Sequence, residues 1–416
     1  MSKSITFLAA LLIAVRAFSS AVLIPMDHKQ ADHLKAYGVA YYTLSQDVDV
    51  DWLLNYRGGS FMIPYETWVT NECVVRGVSY ELISDAQVNQ LLNLVGSPTE
   101  NMNLVKLEKE PRIAVYSPKN AMIEDESDAV IAVLEYAEIP FTILYDLEIL
   151  SGELNKYDWL HLHHEDFTGQ IHRHRFREES LKEAEMQIRQ AANLGYSSVA
   201  HMKFDVTKEI RDFVASGKYL FAMCSGAETF DIALATDGQP LTWGDFEEPI
   251  SYNSRIRLDY SKSFAFENFT PEFDWRFSNI NENTIQFHNP DEDYFTLFTF
   301  SAKWDIVPTL LTQNHEHLIE EFFGLTTAFN KELVKPGALI LAENARMNRV
   351  RYIYGVYGEG HWTYYSGHDP ERPTQGGRRR GGSRRPLVEL HPNSPGYRLI
   401  LNNVLFPAAK KRKRKT

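Results

Sequence analysis

The strongest constraint on the fold is an alternation of short apolar runs with stretches of helical spacing between residues 112 and 223. The apolar runs are residues 113–116, 141–145, 159–163 and 219–223, and helical spacing is clearest at 129–136 and 208–216. Strands that alternate with helices predict an α/β domain with a parallel sheet covered on both faces. Ligands bind such sheets at the carboxyl ends of the strands, so the residues after the third and fourth runs are candidates for a site.

The segments on either side lack this rhythm. Residues 22–110 are rich in Tyr and Trp and predict an N-terminal lobe, to which the pattern assigns no architecture. Residues 237–334 break into aromatic pieces with strand-like alternation. They predict a β-rich insertion, because the α/β pattern returns after them and ends in a helix with Ser394 as N-cap. The α/β domain is therefore expected to comprise residues 111–236 and 335–407.

The N-terminus has the pattern of a secretory signal. Lys3 supplies a positive charge, residues 5–15 form a short apolar run, and Ser19, Ser20 and Ala21 are the small residues that a signal peptidase needs. The run is much shorter than the roughly 20 residues that span a bilayer. We therefore predict a signal peptide at residues 1–21 and an exported protein, periplasmic or extracellular, without a transmembrane anchor.

The charge of the chain is unevenly distributed. The net charge is −12, and basic residues cluster in a loop between Arg378 and Arg385 and in a tail at residues 408–416. The acidic remainder argues against a nucleic-acid-binding surface, because phosphate contacts need Lys and Arg spread over one face. The only cysteines are Cys73 and Cys224. A disulfide between them suits an oxidising compartment, but a chain of 416 residues does not require one.

The segment 221–229, Phe-Ala-Met-Cys-Ser-Gly-Ala-Glu-Thr, is the sharpest candidate for chemistry. An apolar strand ends at Cys224, Gly226 follows, and a helix-compatible stretch begins, so Gly226 and Glu228 are expected to line the pocket. This order is typical of a nucleophile elbow, where a helix N-terminus lowers the pKa of the thiol. The amide of Ser225 is then a candidate oxyanion donor. The alternative is a structural cysteine at a strand end, since Cys packs like a small hydrophobe and Ala222 stands where an elbow usually has Gly.

A second candidate follows the apolar run at 360–365. His368 comes directly after that run, with Asp369 and Glu371 close behind. A thiol nucleophile needs a base, and the base needs an acceptor that orients it. The sequence therefore predicts His368 as the base and Asp369 or Glu371 as its partner, with a turn-capping His368 as the alternative. His361 is a rival base, but it precedes the strand and is expected at the opposite edge of the sheet.

A third cluster of polar residues follows the run that begins at Trp159. Strand alternation places His161 and His163 on one face of the strand and His164 on the other. Their ligand types would suit zinc, but the spacing matches no established metal motif. We predict no metal and no cofactor, and expect the rim of a pocket to be lined by His163, His164, Glu165 and Asp166.

Long stretches of the chain resemble a family of exported bacterial proteins, typical of Bacteroidetes, that is often labelled asparagine synthetase B. The resemblance runs nearly from end to end. It is carried by residues 23–27, 52–61, 113–118, 159–170, 223–229, 300–304, 307–315, 367–371 and 393–411. The family is similar to the class I glutamine amidotransferase-like superfamily, which includes trehalose-utilisation-type proteins. The resemblance implies a flavodoxin-like parallel sheet of that type, with an N-terminal lobe and a β-rich insertion.

The superfamily's motifs also bear on the site. Its nucleophile motif is Gly-x-Cys-x-Gly, and a His-Pro-Glu sequence follows a later strand. Cys224, Gly226, His368 and Glu371 match these positions, while Asp369 is an extra residue between the His and the Pro. After Glu371 the relatives usually continue with acidic and aromatic residues, whereas this chain is basic.

The sequence lacks the motifs that the label asparagine synthetase B implies. ATP-dependent asparagine synthetase B needs a Cys directly after the initiator Met and a Ser-Gly-Gly-x-Asp-Ser pyrophosphate loop. Position 2 is Ser and no such loop occurs in the sequence. An exported protein would also lack ATP. We therefore exclude ATP-dependent asparagine synthesis.

Two functions remain, and the favoured one is a hydrolase of an amide or related acyl group. In this hypothesis Cys224 attacks the substrate and His368 takes and returns the proton. No acceptor domain or tunnel is evident, so hydrolysis is favoured over transfer. The alternative is a non-catalytic exported protein that binds a carbohydrate through aromatic side chains. The candidate aromatics include Trp243, Trp275, Trp304 and Trp362.

Overall fold

The computed structural model describes residues 19–117, 128–163, 165–169, 178–239, 257–273, 278–280, 283, 294–312, 316–320, 322, 326, 328–367, 369–371 and 386–409. Two candidate site residues, His164 and His368, lie outside the described residues. The basic loop between Arg378 and Arg385 lies outside them too, as do residues 1–18 of the predicted signal peptide and residues 410–416 of the tail.

An antiparallel sheet of five strands organises the N-terminal lobe, in the order β4-β1-β3-β2-β5. Its strands are β1 (Ser19–Ile24), β2 (Val50–Leu54), β3 (Ser60–Pro64), β4 (Glu81–Ser84) and β5 (Asn103–Leu107). Three helices accompany it: α1 (His33–Ser45), α2 (Thr67–Arg76) and α3 (Asp85–Gly96). The three small residues of the predicted cleavage site belong to β1, where Ala21 pairs with Pro64 of β3.

Aromatic side chains join α1 to this sheet. The ring of Tyr37 on α1 packs edge-on against Trp52 of β2 and Phe61 of β3, with centroids 6.2 and 5.3 Å apart. Edge-to-face pairs of this kind add about 0.5–1.5 kcal/mol to the free energy of burial. The turn between β2 and β3 contains Gly58 and Gly59 at φ values of +81° and +90°, a conformation that Gly adopts without strain.

The larger sheet has ten strands in the described part of the chain, and the order along its main path is β13-β12-β15-β16-β17-β9-β8-β6-β7. The strands are β6 (Ile113–Tyr116), β7 (Thr142–Leu144), β8 (Trp159–Leu162), β9 (Tyr219–Met223), β12 (Tyr294–Leu297), β13 (Leu318–Glu320), β14 (Phe329–Asn330), β15 (Leu339–Asn344), β16 (Arg349–Tyr357) and β17 (Gly360–Tyr365). A separate hairpin consists of β10 (Pro271–Phe273) and β11 (Ser278–Ile280).

The predicted flavodoxin-like parallel sheet of the class I glutamine amidotransferase type is wrong. Four neighbouring pairs, β6–β7, β6–β8, β8–β9 and β9–β17, are parallel. The other pairs of the large sheet are antiparallel, and so is the whole N-terminal sheet. Antiparallel pairing dominates the described residues, so the large sheet is mixed.

Strand β16 accounts for much of this error. The sequence interpretation recognised short strands near residues 338–341 and 360–365 but missed the nine residues between two turns. Asn348 at φ +53° and Gly358 at φ +60° make these turns, and β16 pairs antiparallel with both β15 and β17. Residues with positive φ favour hairpin turns over crossover helices. The chain therefore forms a meander here instead of another strand–helix unit.

Helices cover both faces of the large sheet. They are α4 (Ala129–Tyr136), α5 (Asp146–Leu150), α6 (Glu178–Asn193), α7 (Val199–Ala215), α8 (Cys224–Thr236), α9 (Pro308–Leu311) and α10 (Pro395–Leu405). On one face, Trp159, Phe221 and Tyr365 belong to the core that contains α1, α4 and α10. On the other face, Leu160 and Ala222 belong to the core that contains α7 and α8. In the described part of the chain, no helix combines the length and apolarity needed to cross a membrane.

The insertion becomes part of the large sheet. Strands β12 and β13 extend its edge, and β14 pairs with β16. Side-chain amides of the N-terminal lobe hold the next segment, because Asn101 and Asn103 donate to the carbonyls of Phe300 and Ala302 at 2.9 and 2.8 Å. The insertion therefore contacts both the sheet and the lobe.

Candidate active site at the carboxyl end of strand β9

Cys224 lies where β9 ends and α8 begins, with its backbone at φ +52°. This left-handed conformation costs a residue with a Cβ roughly 1–2 kcal/mol, and such strain is typical of functional sites. A nucleophile elbow has this strained strand-to-helix turn, which presents the side chain at the first turn of the helix. The positive end of the α8 dipole lies next to the sulfur and favours its thiolate form.

Gly226 allows β8 and α8 to approach closely. Its amide donates to the carbonyl oxygen of His163 at 3.0 Å, and a Cβ at this position would lie 2.2 Å from the same oxygen. Any larger residue would push the first turn of α8 away from β8. The Gly two residues after the cysteine is therefore explained by contact between the elbow and the end of β8.

Thr326 of the insertion covers the thiol. Its amide nitrogen donates to Cys224 Sγ at 3.4 Å, its hydroxyl donates to Glu228, and its carbonyl accepts from the amide of Gly367. A donor on the sulfur stabilises the thiolate more than the thiol. The same contact contributes to the complete burial of Cys224, whose exposed fraction is 0%. Thr326 was not predicted as a site residue, because its contact with Cys224 joins residues 102 positions apart in the sequence.

Glu228 fastens the insertion to α8 and is fully buried. Besides the Thr326 hydroxyl, its carboxylate accepts the amide of Ile280 at 3.2 Å and the side-chain amide of Asn283. Asp231, one turn later on the same helix, accepts the amides of three successive residues, 264–266, at 2.7–2.9 Å. Glu228 was predicted to line the pocket, and its carboxylate holds Thr326, which contacts the thiol, together with Ile280 and Asn283 of the insertion.

A buried cluster of charged side chains lies beside the elbow on the α4 face. Asp128 Oδ2 is 3.4 Å from His161 Nε2 and 3.6 Å from His163 Nδ1, and all three side chains are at most 3% exposed. Burial alone would raise the pKa of Asp128, but the charges of His163 and His161 bring that pKa well below its usual value. The predicted placement of His161 and His163 on one strand face agrees with their ring centroids, which are 5.9 Å apart.

Asp128 was not identified as a site residue from the sequence. Its side chain is the N-cap of α4 and accepts the amides of Val130 and Ile131 at 2.7 and 3.2 Å. An Asp before a helical stretch is an ordinary capping signal, so the sequence gives no hint that its second oxygen faces two histidines.

Glu165 and Asp166 shape the loop after β8. Glu165 Oε2 accepts the amide of His163 at 2.7 Å, and the carbonyl of Glu165 accepts the hydroxyl of Thr229 on α8. Asp166 Oδ1 accepts the amide of Thr168 at 2.9 Å. Both carboxylates therefore accept backbone amides within residues 163–168. His164, predicted beside them, lies outside the described residues.

Asp369 and Glu371, the two predicted partners of His368, lie in different environments. Burial raises the pKa of Asp369 to about 6, while nearby His163 acts in the opposite direction. The Tyr397 hydroxyl on α10 hydrogen-bonds to Asp369. Glu371 is partly exposed, and its Oε2 is 3.3 Å from Nδ1 of His391. Asp369 therefore contacts Tyr397 on α10, whereas Glu371 contacts His391 in the segment before α10.

His361 is remote from this site. It pairs with Tyr219 at the amino ends of β17 and β9, its ring stacks on that of Tyr219, and its Nδ1 contacts the hydroxyl of Tyr354 at 2.5 Å. Cys224 lies at the other end of β9. Among the residues that the structure describes, no group of three or more His, Cys, Asp or Glu side chains is arranged to hold a metal ion.

Comparison with known proteins does not assign the chain to a family. No family model and no curated protein matches the chain. Among solved structures, the cytoplasmic protein STM3548 from Salmonella typhimurium is 11% identical, with a TM-score of 0.37 over 72% of this chain and 100% of its own. The cytoplasmic protein STM1381 from Salmonella typhimurium LT2 is 12% identical, with a TM-score of 0.36 over 72% of this chain and 99% of its own. These TM-scores are too low to support an inference.

Proposed function

We propose that the protein is a cysteine-dependent hydrolase of an amide or related acyl bond, with Cys224 as the nucleophile. The observation that carries the proposal is the left-handed backbone of Cys224 at φ +52° between β9 and α8. A structural cysteine that only fills space needs no strained backbone, and an ordinary strand end would supply it at lower cost. The strain instead favours a thiol that is held in position for reaction.

Each step of the reaction has a candidate group. His368, assigned from the sequence, removes the proton from the Cys224 thiol, and the thiolate sulfur forms a bond to the substrate's carbonyl carbon. The oxyanion lies near the amide of Ser225 in the first turn of α8. Collapse breaks the bond to the leaving amine or alkoxide, which receives the proton from His368. Water then attacks the thioester, releasing the acid and the thiol.

The proposed substrate is a small molecule or a carbohydrate-like compound that carries an acyl or amide group. We propose that the protein acts after export, in the periplasm or outside the cell, and this proposal rests on the N-terminal pattern. The reaction uses water and the chain's own residues.

One observation favours the second candidate function, a non-catalytic binding protein. Cys224 has an exposed fraction of 0% beneath Thr326, whereas a nucleophile must meet its substrate. The aromatic residues give this candidate less support. Trp243 and Trp275 lie outside the described residues, Trp362 is buried in the core with 3% of its surface exposed, and Trp304 is exposed at 86%. The two functions therefore differ in whether the thiol is activated and becomes accessible in solution.

Alkylation of the full chain by iodoacetamide at a series of pH values separates these functions. Peptide mass spectrometry follows Cys224, and Cys73 serves as the reference because burial raises its pKa to about 12. A hydrolase is expected to be labelled at Cys224 near or below pH 7, with a profile that changes in a His368→Ala variant. If labelling of Cys224 stays slow until the pH exceeds the ordinary thiol pKa of about 8.5, the proposal is rejected and the binding protein is favoured.

A further inference from the structure

We infer that the Asp128–His163 pair is a proton acceptor for the Cys224 thiol, located on the α4 side of the elbow. The inference rests on the proposed function and adds a base that motif matching did not identify. It starts from three buried side chains: His163 at 1% exposure, His161 at 0% and Asp128 at 3%. Charged groups are almost never fully buried unless they are paired. The buried pairing of Asp128 with His163 and His161 therefore calls for a functional explanation.

The order of the strands places His163 next to Cys224. His163 follows β8, Cys224 follows β9 and Asp369 follows β17, and these strands are neighbours in that order. Adjacent strands are about 4.8 Å apart, so β8 and β17 are about 10 Å apart with β9 between them. Cys224 therefore lies at the end of the middle strand, between the strand ends that His163 and Asp369 follow.

The backbone supports the same placement. The carbonyl of His163 accepts the amide of Gly226, two residues after Cys224, at 3.0 Å. The amide of His163 is held by Glu165 Oε2 at 2.7 Å. The carbonyl of His163 is thus fixed against the elbow, and its amide is fixed by Glu165 in the loop after β8. The His163 side chain therefore belongs to a residue whose backbone contacts the first turn of α8.

Asp128 determines which ring nitrogen can act. Asp128 Oδ2 is 3.6 Å from Nδ1 of His163, beyond hydrogen-bond range, but its negative charge favours a proton on that nitrogen. Nε2 is then the ring atom that accepts a proton. The neighbour His161 contacts the carbonyl of Phe221 through Nδ1 at 3.1 Å, and because that oxygen only accepts, His161 is fixed as a donor there. His161 is therefore tied to the core, and His163 is the ring at the strand end.

The proton transfer balances without a further reactant. In this inference His163 takes the role that the motif match gives to His368: its Nε2 takes the thiol proton, which leaves a thiolate and an imidazolium, and Asp128 compensates the new positive charge. The thiolate then bonds to the substrate's carbonyl carbon, and the imidazolium returns the proton to the leaving group. The charged groups that face His163 are Asp128 on α4, His161 on β8, Glu165 in the following loop and Asp369 after β17.

The test is the pH profile of Cys224 alkylation in the full chain, compared between the unsubstituted protein and single variants. His163→Gln removes the base, and Asp128→Asn removes the charge while keeping an N-cap, because Asn caps as well as Asp. His361→Gln is the matched control, since it also removes a stacked ring but lies at the opposite edge of the sheet. Labelling of Cys73, which is fully buried, reports unfolding in every variant.

We expect His163→Gln to slow labelling at pH 7 by about tenfold or more and to move the profile towards higher pH. Asp128→Asn should change the profile in the same direction by less, and His361→Gln should leave it unchanged. An unchanged profile in His163→Gln, together with a changed one in His368→Ala, would overturn this inference and leave the proposed function intact. If Cys224 of the unsubstituted protein lacks activation, the proposed function itself fails. If His163→Gln exposes Cys73, Asp128→Asn decides, and an unchanged profile there overturns the inference.

Discussion

The amide of Gly226 and the carbonyl of His163 form a 3.0 Å hydrogen bond that ties the first turn of α8 to the end of β8. This bond brings together two segments that the sequence separates by more than sixty residues. The contact requires a residue without a Cβ, because a Cβ at position 226 would lie 2.2 Å from the His163 oxygen. It therefore links the stability of the fold to the geometry of the elbow.

Replacement of Gly226 by Ala should destabilise the protein by about 1–3 kcal/mol, the usual cost of overpacking. The neighbour is backbone, so it has little freedom to move aside. The matched control is Gly96→Ala at the end of α3, where no atom lies within 4 Å of the added Cβ. That variant should be neutral or slightly more stable. Urea unfolding measures both, and equal effects would contradict the close approach at Gly226.

The backbone strain at Cys224 makes a second prediction. Cys224→Ala and Cys224→Gly both remove the thiol, but only Gly relieves the left-handed conformation. We expect the Gly variant to be as stable as the Ala variant or more stable by up to about 1–2 kcal/mol. At Ala227, inside the same helix, Ala→Gly should instead cost about 1 kcal/mol. Urea unfolding of the three variants measures these differences. If Cys224→Ala is more stable than Cys224→Gly, as expected for an ordinary helical position, the turn is unstrained.

The sequence predicted some features of this site because they depend on neighbouring residues. The order strand, Cys, helix predicted the turn at Cys224, and Ser394 caps α10 as its position before Pro395 implied. The face shared by His161 and His163 followed from alternation along one strand. Each of these features arises within about ten residues of chain.

Other features depend on contacts between distant segments, and the sequence could not supply them. Asp128 reads as a simple helix cap, and its contact with His163 exists because β6 and β8 are neighbours in the sheet. Thr326 contacts Cys224 although the two residues are 102 positions apart in the sequence. Strand β16 was missed because its turns at Asn348 and Gly358 were not recognised, and that omission led to the wrong sheet type.

The carboxylates of α8 allow a third prediction, on the attachment of the insertion. Glu228→Ala removes the acceptor of the Ile280 amide, so that amide should exchange with deuterium faster while the amides of 264–266 stay protected. Asp231→Ala should have the reverse effect, because Asp231 holds those three amides. An unsatisfied buried amide costs about 1–3 kcal/mol, which corresponds to about five- to 150-fold faster exchange. Equal effects of both variants on both segments would show that the insertion opens as one unit.

Asp369 and Asp158 should affect the pH dependence of stability with opposite signs. Burial raises the pKa of Asp369 to about 6 in the folded protein, above the unfolded value of about 3.9. The protonated carboxyl therefore stabilises the fold fully below about pH 4, and this contribution is lost as the pH rises through about 6. Asp369→Asn should consequently gain stability relative to the unsubstituted protein between pH 4 and pH 8, by about 3 kcal/mol at most.

Asp158 provides the matched control for this prediction. Its burial favours a higher pKa, but hydrogen bonds from Arg112 and Lys218 bring the pKa to about 2, below the unfolded value. Its ionised form therefore stabilises the fold above about pH 4, and that contribution is lost as the pH falls towards 2. Asp158→Asn should lower the free energy of unfolding at pH 7, and this effect should disappear in acid. Asp369→Asn should raise the free energy of unfolding at neutral pH. Urea unfolding at pH 2, pH 4 and pH 8 measures both, and a pH-independent effect of Asp369→Asn would mean that this carboxyl is solvated in the folded protein.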